Sequence, residues 1–220
     1  EFNRLGAQVQ LDIFEQYFED LNQQIRIPQA DADYSDRVMN IDGKLAIFKT
    51  FGTATYNNSN NPNLRYFSLP TQDAYGANVD FYRLGTVTYK NNKSDIIELQ
   101  RLSRTEFYNI ERSQLTKATE KFPTYLYENR GNINIPGTQI NNSLQNVMYV
   151  NPVTITTGVD VDYIRKPTNP IWGFTTGNRG QYIYNNNYYD PANGTGSVNF
   201  ELHGSEQVNL ILRILAYAGI

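Results

Sequence analysis

The chain has 220 residues, a net charge of −3 and a mean hydropathy of −0.56, a size and composition typical of a folded protein with a sizeable core. It contains no cysteine and one histidine, His203, which excludes disulfides, zinc–thiolate sites and cysteine nucleophiles. No apolar run approaches the roughly 18 residues of a membrane span, so no membrane partner is expected. The lack of a long basic run argues against a dedicated nucleic-acid binder.

Two helices are predicted at the N-terminal end of the chain. Residues 2–26 place apolar side chains at helical spacing, and Pro28 ends this helix. Its apolar stripe includes Leu5, Val9, Ile13, Tyr17 and Leu21. Residues 35–49 form the second predicted helix, with Ser35 or Asp36 as its N-cap.

Beyond the second helix, the spacing of apolar residues changes to the alternation of β-strands. Strands are predicted at residues 50–56, 64–70, 80–89, 94–103, 122–127, 131–136, 145–150, 153–164 and 197–202. A middle helix is predicted over residues 103–115, where Ser103 and Glu106 have the spacing of a capping box. Residues 165–174 read as a proline-braced extended segment, and residues 178–196 are rich in loop-forming residues.

A closing helix is predicted over residues 205–218, ended by Gly219. Most of its circumference is apolar, which indicates burial in its own core or in a partner. The predicted fold class is α+β, with N-terminal and C-terminal helices plus a middle helix packed with a mainly antiparallel sheet. We expect one compact domain over residues 1–220: helical over 1–49, mixed β with one helix over 50–204, then the closing helix.

Acidic residues recur at two places where they could serve chemistry. Asp160 and Asp162 lie two residues apart on one face of a predicted strand, as an acid–base pair or a Mg²⁺ site requires. The alternative is a solvent-facing strand side whose intervening apolar residues point inward. The stretch DADYSD (31–36) alternates acids as a calcium loop does, but it has Asp36 where that loop needs glycine. A solvated linker that caps the second helix explains it better.

His203 and the aromatic residues are the remaining candidates for a functional site. A Ser-His-Asp triad would have to use His203, which is instead expected at a strand–helix junction. Rings crowd residues 170–190, where a subunit contact or a core is expected, with a carbohydrate or base-stacking platform as the alternative. They are Trp172, Phe174, Tyr182, Tyr184, Tyr188 and Tyr189. We predict no catalytic residue, cofactor or metal, and thus no enzyme.

Four motifs, taken in order, carry a resemblance to a known class of protein. The chain opens with EFNRLGAQVQLDIFEQYF and continues with FYNIERSQLTKATEKFPTYLYENRGNINIPG in its middle. VDVDYIRKPTNPIWGF and the closing NFELHGSEQVNLILRILAYAGI follow. Together these motifs resemble the neck, ring and adaptor proteins of crAss-like and other short-tailed phages. Residues 50–100 have no counterpart in this pattern.

The resemblance implies a structural virion protein, made in the host cytoplasm and located in the neck or tail region. It implies a subunit of a head-to-tail connector ring of about twelve copies, which binds the portal and further neck or tail proteins. Such a ring lines or surrounds the DNA exit path, so non-specific contact with packaged DNA is expected. Cations for that contact are Arg101, Arg104, Arg112 and Lys117.

Residues at the expected interface come from the braced segment and the closing helix. They are Arg165, Lys166, Pro170, Trp172, Leu212 and Leu215. Another virion protein, such as a tail hub, a fibre anchor or a head decoration protein, is the first alternative. A glycan-binding or glycan-cleaving protein is the second, more distant one, and an enzyme of this kind would need paired acids in a cleft.

Overall fold

A computed structural model of the protein confirms the α+β class, with helices near both ends and in the middle of the chain and sheets that are mainly antiparallel. The structure describes residues 2–26, 32–58, 65–72, 78, 80–91, 95–130, 145–187, 189–190 and 192–219. The predicted strand at 131–136 lies outside these residues. The chain divides into two compact units, Glu1–Lys49 with Lys166–Ile220, and Thr50–Arg165. That the two act as one domain stays a prediction.

The first unit is built on three helices and a small hairpin. The helices are α1 (Phe2–Arg26), α2 (Ala32–Ala46) and, after a 3-10 turn at Gly204–Glu206, a later helix at Gln207–Ala218. The apolar stripe of α1 is buried at Val9, Ile13 and Tyr17 and half-buried at Leu5 and Leu21, because α1 packs against both other helices. The buried apolar residues of the unit are Val9, Ile13, Phe14, Tyr17, Phe18, Leu45, Phe48 and Leu210.

Helix α2 begins three residues before the predicted N-caps. Ser35 and Asp36 therefore lie inside the helix, and the prediction that one of them caps it is wrong. The helix also ends earlier than predicted, because Lys49 already belongs to a strand.

The second unit contains two sheets. The four-stranded sheet has the order β1-β9-β4-β5 and the five-stranded sheet the order β2-β3-β8-β7-β6. The strands are β1 (Lys49–Thr53), β2 (Thr55–Asn57), β3 (Tyr66–Ser68), β4 (Phe81–Lys90), β5 (Ile96–Glu98), β6 (Gln100–Arg101), β7 (Thr124–Arg130), β8 (Gln145–Asn151) and β9 (Val159–Arg165). Residues of both sheets share one apolar core, which includes Phe67, Val87, Met148, Val161 and Tyr163.

The predicted middle helix is α3 (Arg104–Arg112), which connects two parallel strands. Ser103 caps it with the predicted reciprocal capping box, since its side chain accepts from Glu106 N–H and the Glu106 carboxylate accepts from Ser103 N–H. After the helix, Thr119 and Phe122 pair with each other. The chain then enters β7, which pairs with β6 in parallel, unlike the antiparallel pairs in the rest of the described sheets.

Strand β9 starts six residues later than predicted. Residues 153–158 form a turn that includes Gly158 at φ +74°, where a Cβ would lie 2.7 Å from the Lys90 carbonyl oxygen. Only glycine suits that position. From Val159 onward the predicted alternation is confirmed: Val159, Val161 and Tyr163 are buried, and Asp162 is exposed.

A two-stranded hairpin begins before the region predicted to be loop-rich and extends into it, with β10 at Phe174–Thr176 and β11 at Tyr182–Tyr184. The predicted strand at 197–202 is wrong, since those residues form only an isolated bridge between Ile171 and Val198. The closing helix α4 is the segment Gln207–Ala218, and its predicted end at Gly219 is confirmed by a left-handed C-cap at φ +80°.

Candidate interaction surfaces

Helix α4 exposes a broad apolar face. Leu210 is its buried residue, whereas five large apolar side chains are between 40% and 68% exposed. Four of them, Val208, Ile211, Leu212 and Leu215, are spaced by three and four residues on one side of the helix and form what we call the α4 face. Tyr217 lies on the opposite side, where its hydroxyl donates to Asp12 of α1 at 2.9 Å. The prediction that α4 is buried in its own core therefore fails for this face, and burial in a partner stays a prediction.

A polar network fixes the side of α4 that packs against α1 and α2. Glu206 forms a 2.5 Å ion pair with Lys44 and accepts a 3.1 Å hydrogen bond from Asn209. Arg213 donates to Asn209 at 2.9 Å and also to Gln16. Because these polar groups face the unit itself, the apolar face of α4 points away from it.

Glu206 is almost fully buried yet stays charged. Burial alone would raise the pKa of its carboxyl, but hydrogen bonds from Lys44 and Asn209, with the charges of Lys44 and Arg213, hold that pKa below its ordinary value. The neighbouring Tyr17 hydroxyl has its pKa raised well above its ordinary value, first by burial and then by the Glu206 charge. The network thus holds α4 through an ionised carboxylate.

A second apolar surface surrounds the β10–β11 hairpin. We call it the aromatic hairpin surface, and it consists of Phe2, Trp172, Phe174, Tyr182, Ile183 and Tyr184, all exposed. The Phe174 ring lies 4.6 Å from the Tyr182 ring and 5.4 Å from the Trp172 ring. Large side chains are exposed on both faces of this ribbon, because Ile183 points opposite to Tyr182 and Tyr184.

The segment that leads into the hairpin is tied to α1 by one exposed and one buried side chain. The Trp172 N–H donates to the exposed Asn3 Oδ1 at 2.8 Å. Gln10, which is 1% exposed, donates to the Thr168 carbonyl at 2.8 Å and accepts from Glu201 N–H at 2.9 Å, so its buried amide is satisfied. Together these contacts hold the aromatic hairpin surface at the N-terminal end of α1.

The predicted interface residues fall into three groups. Trp172, at 39% exposed, belongs to the aromatic hairpin surface, and Leu212 and Leu215 belong to the α4 face. Pro170 is buried, close to Gly6 and Phe200, so it braces the segment from within. Arg165 ends β9 in the second unit, and Lys166 is exposed at the start of the returning segment.

The sequence identified these surfaces only in part. It assigned Phe174, Tyr182 and Tyr184 to a subunit contact or a core, because nothing in that ring-rich stretch distinguishes a surface from a core. Val208 and Ile211 lie on a helix that is apolar around most of its circumference. Residues 207–212 contain no charged side chain, and this is the sequence feature that could have identified Val208 and Ile211 as part of an interface.

The residues considered for catalysis do not form a constellation. His203 is exposed at the N-cap of the 3-10 turn, where its Nδ1 accepts from Ser205 N–H at 3.3 Å. It therefore lies at the start of a helix, but not at the expected strand–helix junction, because residues 197–202 do not form a strand. Asp160 accepts a 2.7 Å hydrogen bond from the Thr53 hydroxyl. Within the described residues, no group of three or more histidine, aspartate and glutamate side chains is placed to hold a metal ion. The calcium-loop stretch 31–36 begins outside the described residues and continues as helix α2.

The second unit carries an open cleft of about 660 Å³ between α3 and the five-stranded sheet. Its walls include Tyr56, Tyr108, Tyr149 and one carboxylate, Glu128. That carboxylate lies 3.6 Å from the Arg104 guanidinium. Among the described residues that line the cleft, Glu128 is the single acid, so these residues do not supply the two carboxyl groups that glycoside hydrolysis uses.

The four cations proposed for DNA contact are all exposed. Arg104 faces Glu128, and Lys117 lies 3.8 Å from Glu111. The Arg101 guanidinium lies 5.5 Å from the centre of the Tyr127 ring. Exposed pairs of this kind are weak, so they leave these cations available to a polyanion.

No model of a known protein family matches the chain, and no curated protein matches it significantly. Among the described residues, no helix is both long and apolar enough to cross a membrane. A functional assignment therefore depends on the two apolar surfaces, together with the resemblance of the sequence motifs.

Proposed function

We propose that this chain is a structural virion protein, a subunit of the head-to-tail connector ring that joins the portal to the tail of a short-tailed phage. About twelve copies form the ring, as the resemblance implies, and further neck or tail proteins bind to it. In this proposal the chain has no enzymatic role.

The α4 face is the observation that carries the proposal. Four large apolar side chains are exposed on one side of the helix, and its polar side is fixed by Glu206 and Arg213. A contiguous apolar patch of this size on a folded unit marks an interaction site. An assembly component has such a surface because its partners cover it in the particle.

The aromatic hairpin surface supports a ring in particular. A cyclic ring needs a heterologous interface, with a different patch on each side of the subunit. One unit of this chain exposes two different apolar patches, one aromatic on a hairpin and one mainly aliphatic on α4. Two unlike patches on one unit allow such a heterologous contact to form.

The arrangement of the rings favours a protein contact over the glycan alternative. The Phe174 and Tyr182 rings meet at 78°, the Phe2 and Trp172 rings at 70°, and the Trp172 and Phe174 rings at 32°. Rings inclined to one another in this way do not form one flat platform. Other virion roles, such as a tail hub, a fibre anchor or a head decoration protein, would use the same apolar surfaces and differ in location.

Electron microscopy of the particle that contains this chain tests the proposal. We expect density for the chain in a ring between the portal and the tail, with Arg101, Arg104, Arg112 and Lys117 facing the DNA path. Density on the capsid exterior or at the fibres would contradict the connector and favour another virion role.

A further inference from the structure

We propose that the aromatic hairpin surface of one subunit docks on the α4 face of the next copy of this chain. This inference rests on the proposed function, and it names the partner of each surface. The occupant of both surfaces is thus a second copy of the chain, and the contact repeats around the ring.

A subunit cannot cover its own α4 face with its own hairpin. The hairpin segment is anchored at Asn3 through Trp172, whereas α4 is anchored at Gln16 through Arg213. These anchor points are 13 residues apart on α1, or about 20 Å along the helix axis. Bringing the two surfaces together within one subunit would break one of these anchors.

Both surfaces are nearly free of charge. Between residues 172 and 184 the sequence contains one charged residue, Arg179, which lies in the turn of the hairpin. Between residues 207 and 218 it contains one, Arg213, which is occupied by Asn209 and Gln16. Docking the two surfaces therefore desolvates no unpaired charge, which is the main cost of burying polar surface.

The exposed areas fit a protein interface. Five aromatic side chains of roughly 200 Å² each, about half exposed, amount to about 500 Å² of apolar surface around the hairpin. A stable interface buries about 800 Å² on each partner, so this surface supplies most of one side. The flanking polar residues of the hairpin complete the rim.

The shapes of the two surfaces are complementary rather than alike. Val208, Leu212 and Leu215 form a ridge along α4, with Ile211 beside it. The hairpin is a narrow ribbon with rings on one face and Ile183 on the other. Flat aromatic side chains fill the spaces beside an aliphatic ridge, and where the reciprocal contact that would close a dimer does not form, this unlike pairing continues from one subunit to the next.

Engineered cysteines give a direct test, because the chain contains no cysteine of its own. We would make Tyr182→Cys and Leu212→Cys separately, mix the two full-length proteins and oxidise them under mild conditions. We expect a cross-linked dimer in the mixture, about tenfold more than with either protein alone, because docking holds the two thiols at a high effective concentration. The double variant should give a ladder of higher multimers.

A matched control uses Leu115→Cys, which replaces a residue that is 98% exposed in the other unit. Its mixture with Leu212→Cys should cross-link only at the background level. Thermal unfolding of each variant followed by circular dichroism shows that the proteins are folded. Cross-linking of Leu212→Cys with itself would overturn the inference, because it would mean that α4 pairs with α4.

The outcomes separate this inference from the proposed function. A ring seen by microscopy without the 182–212 cross-link would overturn this inference and leave the connector standing. The cross-linked ladder, together with density for the chain outside the neck, would support the inference and overturn the connector role. If microscopy shows no ring and the 182–212 pair gives no cross-link, both proposals are contradicted.

Discussion

Strand β9 and the β10–β11 hairpin are both rich in β-branched and aromatic residues, yet they differ in what covers them. β9 lies between β1 and β4, and its Val159, Val161 and Tyr163 are buried. The hairpin is an isolated two-stranded ribbon in which Phe174, Tyr182, Ile183 and Tyr184 are exposed. The difference shows that apolar content does not by itself decide burial.

What decides burial is the number of elements that pack on a strand. A two-stranded ribbon with neither face covered is marginally stable in water. Here the ribbon is held by its base, where the Gly173 N–H donates to Ser197 Oγ at 3.0 Å. A Cβ at Gly173 would collide with the Gly196 carbonyl oxygen, so glycine allows this close approach. We interpret the exposed rings as surface that an assembled neighbour covers.

The largest expected effect on stability comes from truncating the buried strand. Tyr163→Ala removes a ring that packs against Phe81 at 5.6 Å and leaves a cavity in the core of the second unit. We expect a loss of about 3–5 kcal/mol in the free energy of unfolding. Tyr182→Ala in the hairpin is the matched control and should change it by less than about 0.5 kcal/mol. Urea denaturation measures the free energy of unfolding of both variants. Equal losses in the two would contradict the difference in packing between β9 and the hairpin.

When association between copies of the chain is measured instead of stability, substitution of an exposed apolar surface is expected to have the larger effect. Leu212→Asp places a charge on the α4 face, where it would be desolvated in the docked state, and should weaken association by about 2 kcal/mol or more. Val153→Asp, on an exposed residue of the second unit, should leave association unchanged. Sedimentation velocity over a concentration series measures the association of both variants. Equal association of the two would contradict the assignment of the α4 face as the interface.

The network around Glu206 should make stability depend on pH. The folded state lowers the pKa of this carboxyl, so its contribution is complete above the unfolded value of about 4.3. That contribution is lost as pH falls through the lower folded value. Glu206→Gln should cost about 1–2 kcal/mol at pH 7 and flatten the acid side of the stability curve. Glu19→Gln, at an exposed position on α1, is the control; an unchanged acid slope in Glu206→Gln would exclude this carboxyl as its source.

The smallest effect is expected at the cap of α3. Ser103 accepts a hydrogen bond from Glu106 N–H, and its hydroxyl donates to the Glu106 carboxylate at 2.7 Å. These hydrogen bonds lower the pKa of Glu106. Ser103→Ala should destabilise the protein by about 1 kcal/mol, whereas Ser103→Asn should keep most of the cap. Equal losses in the two variants, measured by thermal unfolding, would show that the cap contributes little.

Local signals predicted those elements whose residues interact with near neighbours in sequence. The stripe of α1, the capping box at Ser103 and the left-handed cap at Gly219 all depend on contacts within a few residues. The start of α2 and the β10–β11 hairpin did not follow from local patterns. The hairpin has glycines at 177 and 180 in its turn, yet its asparagine-rich surroundings favour a loop equally.

The candidate surfaces were predictable only in part. The apolar circumference of α4 indicated an interface at Leu212 and Leu215, which are exposed. Pro170 was predicted with them but is buried, because the fold packs it against the first turns of α1. Which side of a helix faces its own unit depends on distant partners, here Lys44 and Gln16, that no local pattern identifies.

Native mass spectrometry of the purified chain tests most directly whether the α4 face drives assembly. A monomer has a mass of 25.2 kDa. We predict a closed oligomer of about twelve subunits for the unaltered protein as its concentration rises, and a folded monomer for Leu212→Asp under the same conditions. A monomer for both proteins at every concentration, or the same oligomer for both, would contradict the assignment of this face to the ring interface.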